Sequence, residues 1–193
     1  EANNNLGLLF QIDKEYDKAI ECYEKIIKIN PKILSAQFNL GLVFQKMGKN
    51  EKAKECYKKA IELNPKLLNA QYNLGIIFQN LGENEKAKEC YKKAIELDPN
   101  LVIAHNNLGI VYSNLGNYNL AIDSYVNALE IDKKFKNAKE NLIQLLTCSN
   151  SKRDNPIINA NNDLKKIHKN FNSLDCLKSE NLNYIFRESN KIL

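Results

Sequence analysis

The sequence predicts an all-α solenoid. Three observations carry that expectation. A unit of 34 residues recurs four times: Leu-Gly falls at Leu6-Gly7, Leu40-Gly41, Leu74-Gly75 and Leu108-Gly109, Ala19, Ala53, Ala87 and Ala121 keep the same period, and so do Tyr23, Tyr57, Tyr91 and Tyr125. Apolar residues inside each unit recur at helical spacing. Gly and Pro then punctuate the units at fixed places. A period of this length marks repeats that bury their apolar faces only against their neighbours. Such an array offers a long surface and seldom a catalytic pocket.

The elements follow in order. Residues 34–67 and 68–101 are identical at 25 of 34 positions, so one unit speaks for the rest. Its first helix is AQFNLGLVFQKM (36–47), with apolar residues at 40, 43, 44 and 47. Gly48, Gly82 and Gly116 follow their first helices, where a left-handed residue closes the C-terminus. Lys14 stands there in the first unit, which leaves that turn open to a different course. The second helix is NEKAKECYKKAIEL (50–63), with Ala53, Tyr57, Ala60 and Ile61 as its inner stripe. Asn30, Asn64 and Asp98 precede Pro31, Pro65 and Pro99, and a residue before Pro avoids the helical region, so each unit ends in a sharp turn. Gly41 and Ala53 are expected where two helices approach closely; the Gly costs about 1 kcal/mol of helix propensity against Ala, so its return in every unit implies a packing benefit.

The repeats thus run at about 1–33, 34–67, 68–101 and 102–135. In the last of them Lys133 stands in place of the Pro. A fifth first helix, KNAKENLIQLLT (136–147), keeps Asn141-Leu142 but has Ile143 in place of Gly. Its outer face, Lys136, Lys139, Glu140 and Gln144, is polar, as the solvated end of a one-dimensional stack requires. The array therefore covers 1–146 and closes with a cap. Residues 148–193 form a linker and an Asn-rich tail. Two short amphipathic stretches there, Leu164, Ile167, His168 and Phe171, then Leu182, Ile185, Phe186 and Ser189, are too short to be stable alone. Docking on the array, disorder and docking on a partner all stay open.

Single-copy chemistry is sparse. Cys22, Cys56 and Cys90 lie one period apart, and stacked equivalent helices sit about 8–10 Å apart, beyond the roughly 7 Å a disulfide spans. These thiols are expected to be free and partly buried. With Cys148 and Cys176 in the tail and no CxxC, no metal site or cofactor is expected, and the compartment is a reducing one, cytoplasm or nucleus. His105 and His168 share no ligand or triad spacing and read as lone surface or groove histidines. No phosphate-binding glycine loop, nucleophile elbow or zinc-binding HExxH occurs, so the chain is not expected to be an enzyme. Residues 1–146 carry 20 basic and 18 acidic side chains in mixed-sign runs. That pattern suits a solvated face and gives no basic groove for nucleic acid. No apolar run spans a membrane.

Leu-Gly, an aromatic three residues on (Phe10, Phe44, Phe78, Tyr112), then Ala, Tyr, Ala (Ala60, Ala94, Ala128) and Pro resemble the tetratricopeptide repeat (TPR) over about residues 1–146. The family's early Trp is absent; Asn3, Gln37, Gln71 and His105 stand in its place. The resemblance implies a right-handed TPR superhelix whose first helices line its concave side. Asn5, Asn39, Asn73, Asn107 and Asn141 would occupy one equivalent site there, with Asn80, Asn114, Phe38 and Tyr72 beside them. A carboxamide carries both donors and an acceptor, which matches a peptide unit. Rungs about 8–10 Å apart match three residues of extended chain at roughly 3.3 Å each. Such a ladder would hold polypeptide by its backbone. Asn at these sites equally suits solubility or local packing, and both readings stand.

The concave Lys and Arg with which TPR co-chaperones grip a terminal carboxylate are missing: Asn4, Leu8, Asn69 and Asn73 occupy those places, and Asn39 alone fits. The repeated Asn-Leu-Gly is instead similar to the TPR superhelix of the O-GlcNAc transferase and SPINDLY type of protein O-glycosyltransferase, and 104–132 with 136–146 looks like the end of a SPINDLY array. That resemblance implies a non-catalytic, substrate-recruiting region of a nucleocytoplasmic glycosyltransferase, and the start at Glu1 fits a fragment. The alternative is an adaptor that assembles a complex or a homodimer. The expected partners are segments of other proteins or a second copy.

Overall fold

The computed structural model describes the backbone of residues 2–150 and the side chains of residues 3–145. The described residues form nine α-helices and no strand: α1 (Ala2–Ile12), α2 (Tyr16–Ile29), α3 (Leu34–Lys46), α4 (Asn50–Leu63), α5 (Leu68–Asn80), α6 (Asn84–Leu97), α7 (Val102–Asn114), α8 (Tyr118–Ile131) and α9 (Lys136–Asn150). The chain divides into two compact units, Glu1–Pro99 and Asn100–Leu193. In the first, α1 packs on α2, α3 on α4 and α5 on α6; α2 then packs on α3, α4 on α5, and α1 also touches α3. In the second, α7 packs on α8, α8 on α9, and α7 touches α9. The helix–turn–helix repeats read from the period are thus present as stacked pairs. Helix α9 runs three residues past the expected end at 147. The tail from residue 151, with its two amphipathic stretches, lies outside the described residues.

Turn chemistry fixes where the helices stop. Gly48, Gly82 and Gly116 have φ of +71°, +74° and +75°. After each, a backbone N–H reaches back to the last turn: Lys49 to Phe44 O at 2.9 Å, Glu83 to Phe78 O and Asn117 to Tyr112 O, both at 2.8 Å. These bonds satisfy carbonyls that the helix end leaves open. The first repeat closes in the same way despite its missing glycine. Lys14 adopts φ +61° and Glu15 N–H bonds Phe10 O at 2.8 Å. The packing of α1 on α2 imposes the turn, and Lys14 accepts a left-handed backbone that costs an L-residue about 1–2 kcal/mol. Lys14→Gly is therefore expected to raise stability by about 1 kcal/mol, after allowing for the extra chain entropy of glycine. Thermal unfolding checks this, and a lowered midpoint would contradict it.

Between repeats the turn rests on an Asx residue more than on proline. Asn30 Oδ1 accepts Lys32 N–H at 2.9 Å and Asn64 Oδ1 accepts Lys66 N–H at 3.0 Å. Asp132 Oδ1 accepts Lys134 N–H at 2.9 Å although Lys133 replaces the proline. A side chain that bonds the backbone two residues on closes the turn by itself. This is why the fourth repeat still turns.

The core explains the small residues. A Cβ added at Gly41 would lie 2.8 Å from Tyr57 Cε1, and one at Gly75 would lie 2.7 Å from Tyr91 Cε1. Tyr23, Tyr57 and Tyr91 are wholly buried, as are Ala19, Ala53 and Ala87. Cys22, Cys56 and Cys90 are free and buried. They complete the inner stripe that was expected to include Ile61, which is only half-buried. The cap buries Ala138, Leu142 and Leu145 and exposes Lys136, Glu140 and Gln144. His105, expected on the surface or in a groove, is buried on α7 among the polar residues of the core.

Candidate functional site

The family Trp position sits where a first helix meets the turn before it, and glutamine fills it by hydrogen bonding. Gln37 Nε2 donates to Pro31 O at 3.3 Å, and Gln71 Nε2 to Pro65 O at 3.4 Å. Both glutamines are buried, so the bonds satisfy carbonyls that would otherwise lose water. Where Trp would fill space with rings, amides here tie helix to turn.

A second glutamine row clasps the two helices of a repeat. Tyr23 Oη donates to Gln11 Oε1 at 3.4 Å, Tyr91 Oη to Gln79 Oε1 at 2.8 Å, and Tyr57 Oη likewise to Gln45 Oε1. Gln11, Gln45 and Gln79 stand beside the asparagine row in the sequence, and their tie to tyrosine was not foreseen. The signal was available: Gln and Tyr recur together twelve residues apart in three units. Burial raises the pKa of two of these tyrosines, Tyr23 to about 12 and Tyr57 in the same direction.

The asparagine row itself is placed as follows. Asn5 is exposed on α1; Asn39, Asn73, Asn107 and Asn141 are half-buried on α3, α5, α7 and α9. Their carboxamides are partly engaged by neighbouring helices. Asn39 Nδ2 donates to Asn4 Oδ1 at 3.4 Å, from α3 to α1. Asn141 Nδ2 donates to Asn106 Oδ1 at 3.0 Å, from α9 to α7. Asn106 Nδ2 in turn donates to Asn107 Oδ1 at 3.2 Å. Asn73 lies beside the Tyr57 phenol of the preceding repeat and works against the upward push of burial on its pKa. Where the preceding first helix offers Asn (Asn4, Asn106), amide pairs with amide. A free ladder was one of the two readings the sequence left open. Half-burial changes it, because a buried N–H must find a partner. A carboxamide has a second N–H and two acceptor lone pairs, which one such bond leaves for the exposed half of the side chain.

Phe38 and Tyr72 also carry structural weight. Their rings lie 5.8 Å and 5.9 Å from those of Tyr57 and Tyr91, tilted by 48° and 49°. Both remain half-exposed. Asn80 and Asn114 are exposed at the ends of α5 and α7. Among the described residues no group of three His, Cys, Asp or Glu is placed to hold a metal ion, and no helix is long and apolar enough to cross a membrane.

Models of the tetratricopeptide repeat match residues 1–33, 35–67 and 102–135, another matches 56–89, and a TPR-repeat model matches 77–116. No curated protein matches the chain. Among solved structures, a crystal structure of MamA is 26% identical with a TM-score of 0.72, over 84% of this chain and 95% of that one. YrrB, a TPR protein with an unusual peptide-binding site, is 19% identical with a TM-score of 0.71, over 94% and 89%. PilF of Pseudomonas aeruginosa is 22% identical with a TM-score of 0.68, over 78% and 68%. Because 379 solved chains match, architecture alone selects no partner. The repeat models cover more than half of the chain, and the Ala and Tyr positions that recur in all four repeats are buried in the helix pairs; the chain belongs to the tetratricopeptide-repeat family.

Proposed function

We propose that this interaction module captures extended polypeptide along the first-helix face, through the carboxamides of Asn5, Asn39, Asn73, Asn107 and Asn141. The observation that carries the reading is the state of these amides. Asn39 and Asn141 each give one N–H to a neighbouring helix of their own unit and keep a partly exposed carboxamide. The inward bond fixes the rotamer, so less freedom is lost when the outward atoms meet a ligand. Phe38 and Tyr72, held by the buried tyrosines, add apolar contact, and Asn80 and Asn114 extend the amide surface. YrrB gives a precedent of fold for a peptide site on a TPR protein.

Changing Asn39, Asn73 and Asn107 together to Ala tests it. Three lost bonds at about 1 kcal/mol each are expected to weaken capture of an extended peptide on the order of a hundredfold. Helicity should persist, since Ala is the better helix former. Unchanged capture would end the proposal and leave the amides as ties between repeats.

The finer proposal is that the array recruits substrate for a nucleocytoplasmic protein O-glycosyltransferase of the O-GlcNAc transferase or SPINDLY kind. Its support is the Asn-Leu-Gly repeat and the sequence of 104–146; the buried free thiols suit a reducing compartment. A glycosyltransferase lobe encoded beyond Leu193 would support it, and an unrelated domain there would remove it. One observation favours the adaptor reading: Leu9 and Ile12 on α1 are 57% and 74% exposed. Light scattering separates the two, since a concentration-dependent oligomer unaffected by the Asn changes would favour assembly through that surface.

A further inference from the structure

Charge is distributed very unequally between the two kinds of helix. In the unit Glu1–Pro99, α1 and α5 carry no charged side chain and α3 carries one, Lys46, whereas α2 carries six and α4 and α6 seven each. In the other unit α7 carries no Asp, Glu, Lys or Arg, while the closing helix α9 carries Lys136, Lys139 and Glu140 and α8 carries Asp123 and Glu130, so the contrast belongs to Glu1–Pro99. Burial does not explain this. Asn3, Asn5, Leu8, Ser35, Asn69 and Asn80 are all exposed on first helices. The whole chain is 26% charged, so the avoidance belongs to one face. Depletion of charge, more than excess of apolar area, is what marks the desolvated centre of a protein interface. Lys46 has a local reason to be there: it lies in the last turn of α3, where an ammonium group meets the negative end of the helix dipole.

We infer that the ligand of this face is a charge-poor segment of extended polypeptide rich in carboxamide and hydroxyl side chains. The inference rests on the capture reading above and adds the class of ligand. A Lys, Arg, Asp or Glu of the ligand laid against α1, α3 and α5 would lose water and meet no counter-charge apart from Lys46 at the end of α3. An Asn, Gln, Ser or Thr side chain meets amides of matching polarity. Half-buried Leu42 and Ile76 accept aliphatic stems. A polyanion is disfavoured on the same ground, since phosphate contacts require cations. With no ion pairs formed, salt has little to screen.

The test uses the full chain and three labelled peptides of about twelve residues, the reach of a few rungs: one built from Asn, Ser, Thr and Gly, one with every third residue Lys, and one with every third residue Glu. Fluorescence anisotropy should show the neutral peptide binding at least about tenfold more tightly than either charged one. Its affinity should change less than about twofold between roughly 50 and 500 mM salt, and Lys46→Gln should leave it unaltered. Equal binding of a charged peptide of either sign, or strong salt dependence, would overturn the inference while leaving capture in place. Binding of none of the three would overturn the capture reading and this inference with it.

Discussion

Tyr57→Ala is expected to destabilise the array by about 3–5 kcal/mol, the cost of emptying a well-packed aromatic site. Tyr57 is wholly buried. Its ring lies against Gly41, where no Cβ could fit, and 5.8 Å from the ring of Phe38. Its hydroxyl donates to Gln45 within the repeat and lies beside the Asn73 amide of the next. One side chain thus joins α3, α4 and α5. Because stability in a repeat array is a sum of units and neighbour interfaces, the loss should lower both terms at once. Tyr57→Phe keeps the ring and removes only the hydroxyl. Gln45 and Asn73 are half-exposed and can turn to water, so the cost should be about 1 kcal/mol. Urea unfolding followed by circular dichroism measures both. Equal losses for the two variants would show that the hydroxyl network, and not the ring, holds the repeat.

Alkali is expected to destabilise the protein progressively from about pH 9 upward. Burial raises the thiols of Cys56 and Cys90 from 9.0 to about 11, and the phenols of Tyr23 and Tyr125 from 10.0 to about 12. Thiol and phenol are neutral when protonated, and the fold holds those protons more tightly than the unfolded chain does. The associated stability is therefore complete below about pH 9. It is lost as pH rises through 9 to 11 for the thiols and 10 to 12 for the phenols. Together these groups make several kcal/mol of stability depend on pH, on the order of two per group. Exposed Lys–Glu pairs such as Lys18–Glu15 and Lys58–Glu55 add little to this, since they contribute little at any pH. Urea midpoints at neutral pH and near pH 11 test it. Changing Cys56 and Cys90 to Ala should remove the earlier part of the loss; an unaltered pH profile would show that thiol ionisation does not drive it. The same burial predicts that alkylating reagents leave both thiols untouched in the native protein.

Much of this was legible residue by residue. Gly41 and Ala53 were legible as close-approach sites from their period, but that the Tyr57 ring takes the space at Gly41 was decided by packing. The turns were legible where Gly48, Gly82 and Gly116 stand, and illegible at Lys14, where packing overrules backbone preference. Asp132 carried the fourth turn without proline because its side chain can bond the backbone locally, a capacity equally present in Asn30 and Asn64. The hydrogen-bond partners of the asparagines were out of reach. Position fixes which helix face a residue shares, but the atom it meets across a repeat boundary depends on the side chain opposite.

The sequence by itself determined the repeat and the family, because each follows from a local pattern repeated at a fixed period. Tertiary structure alone decided how the amides are used. Asn39 reaches Asn4 and Asn141 reaches Asn106, since a half-buried N–H takes the acceptor that packing places within reach. It also showed that the nearly charge-free helices α1, α3 and α5 present exposed positions, and so gave a compositional gap a surface on which to act.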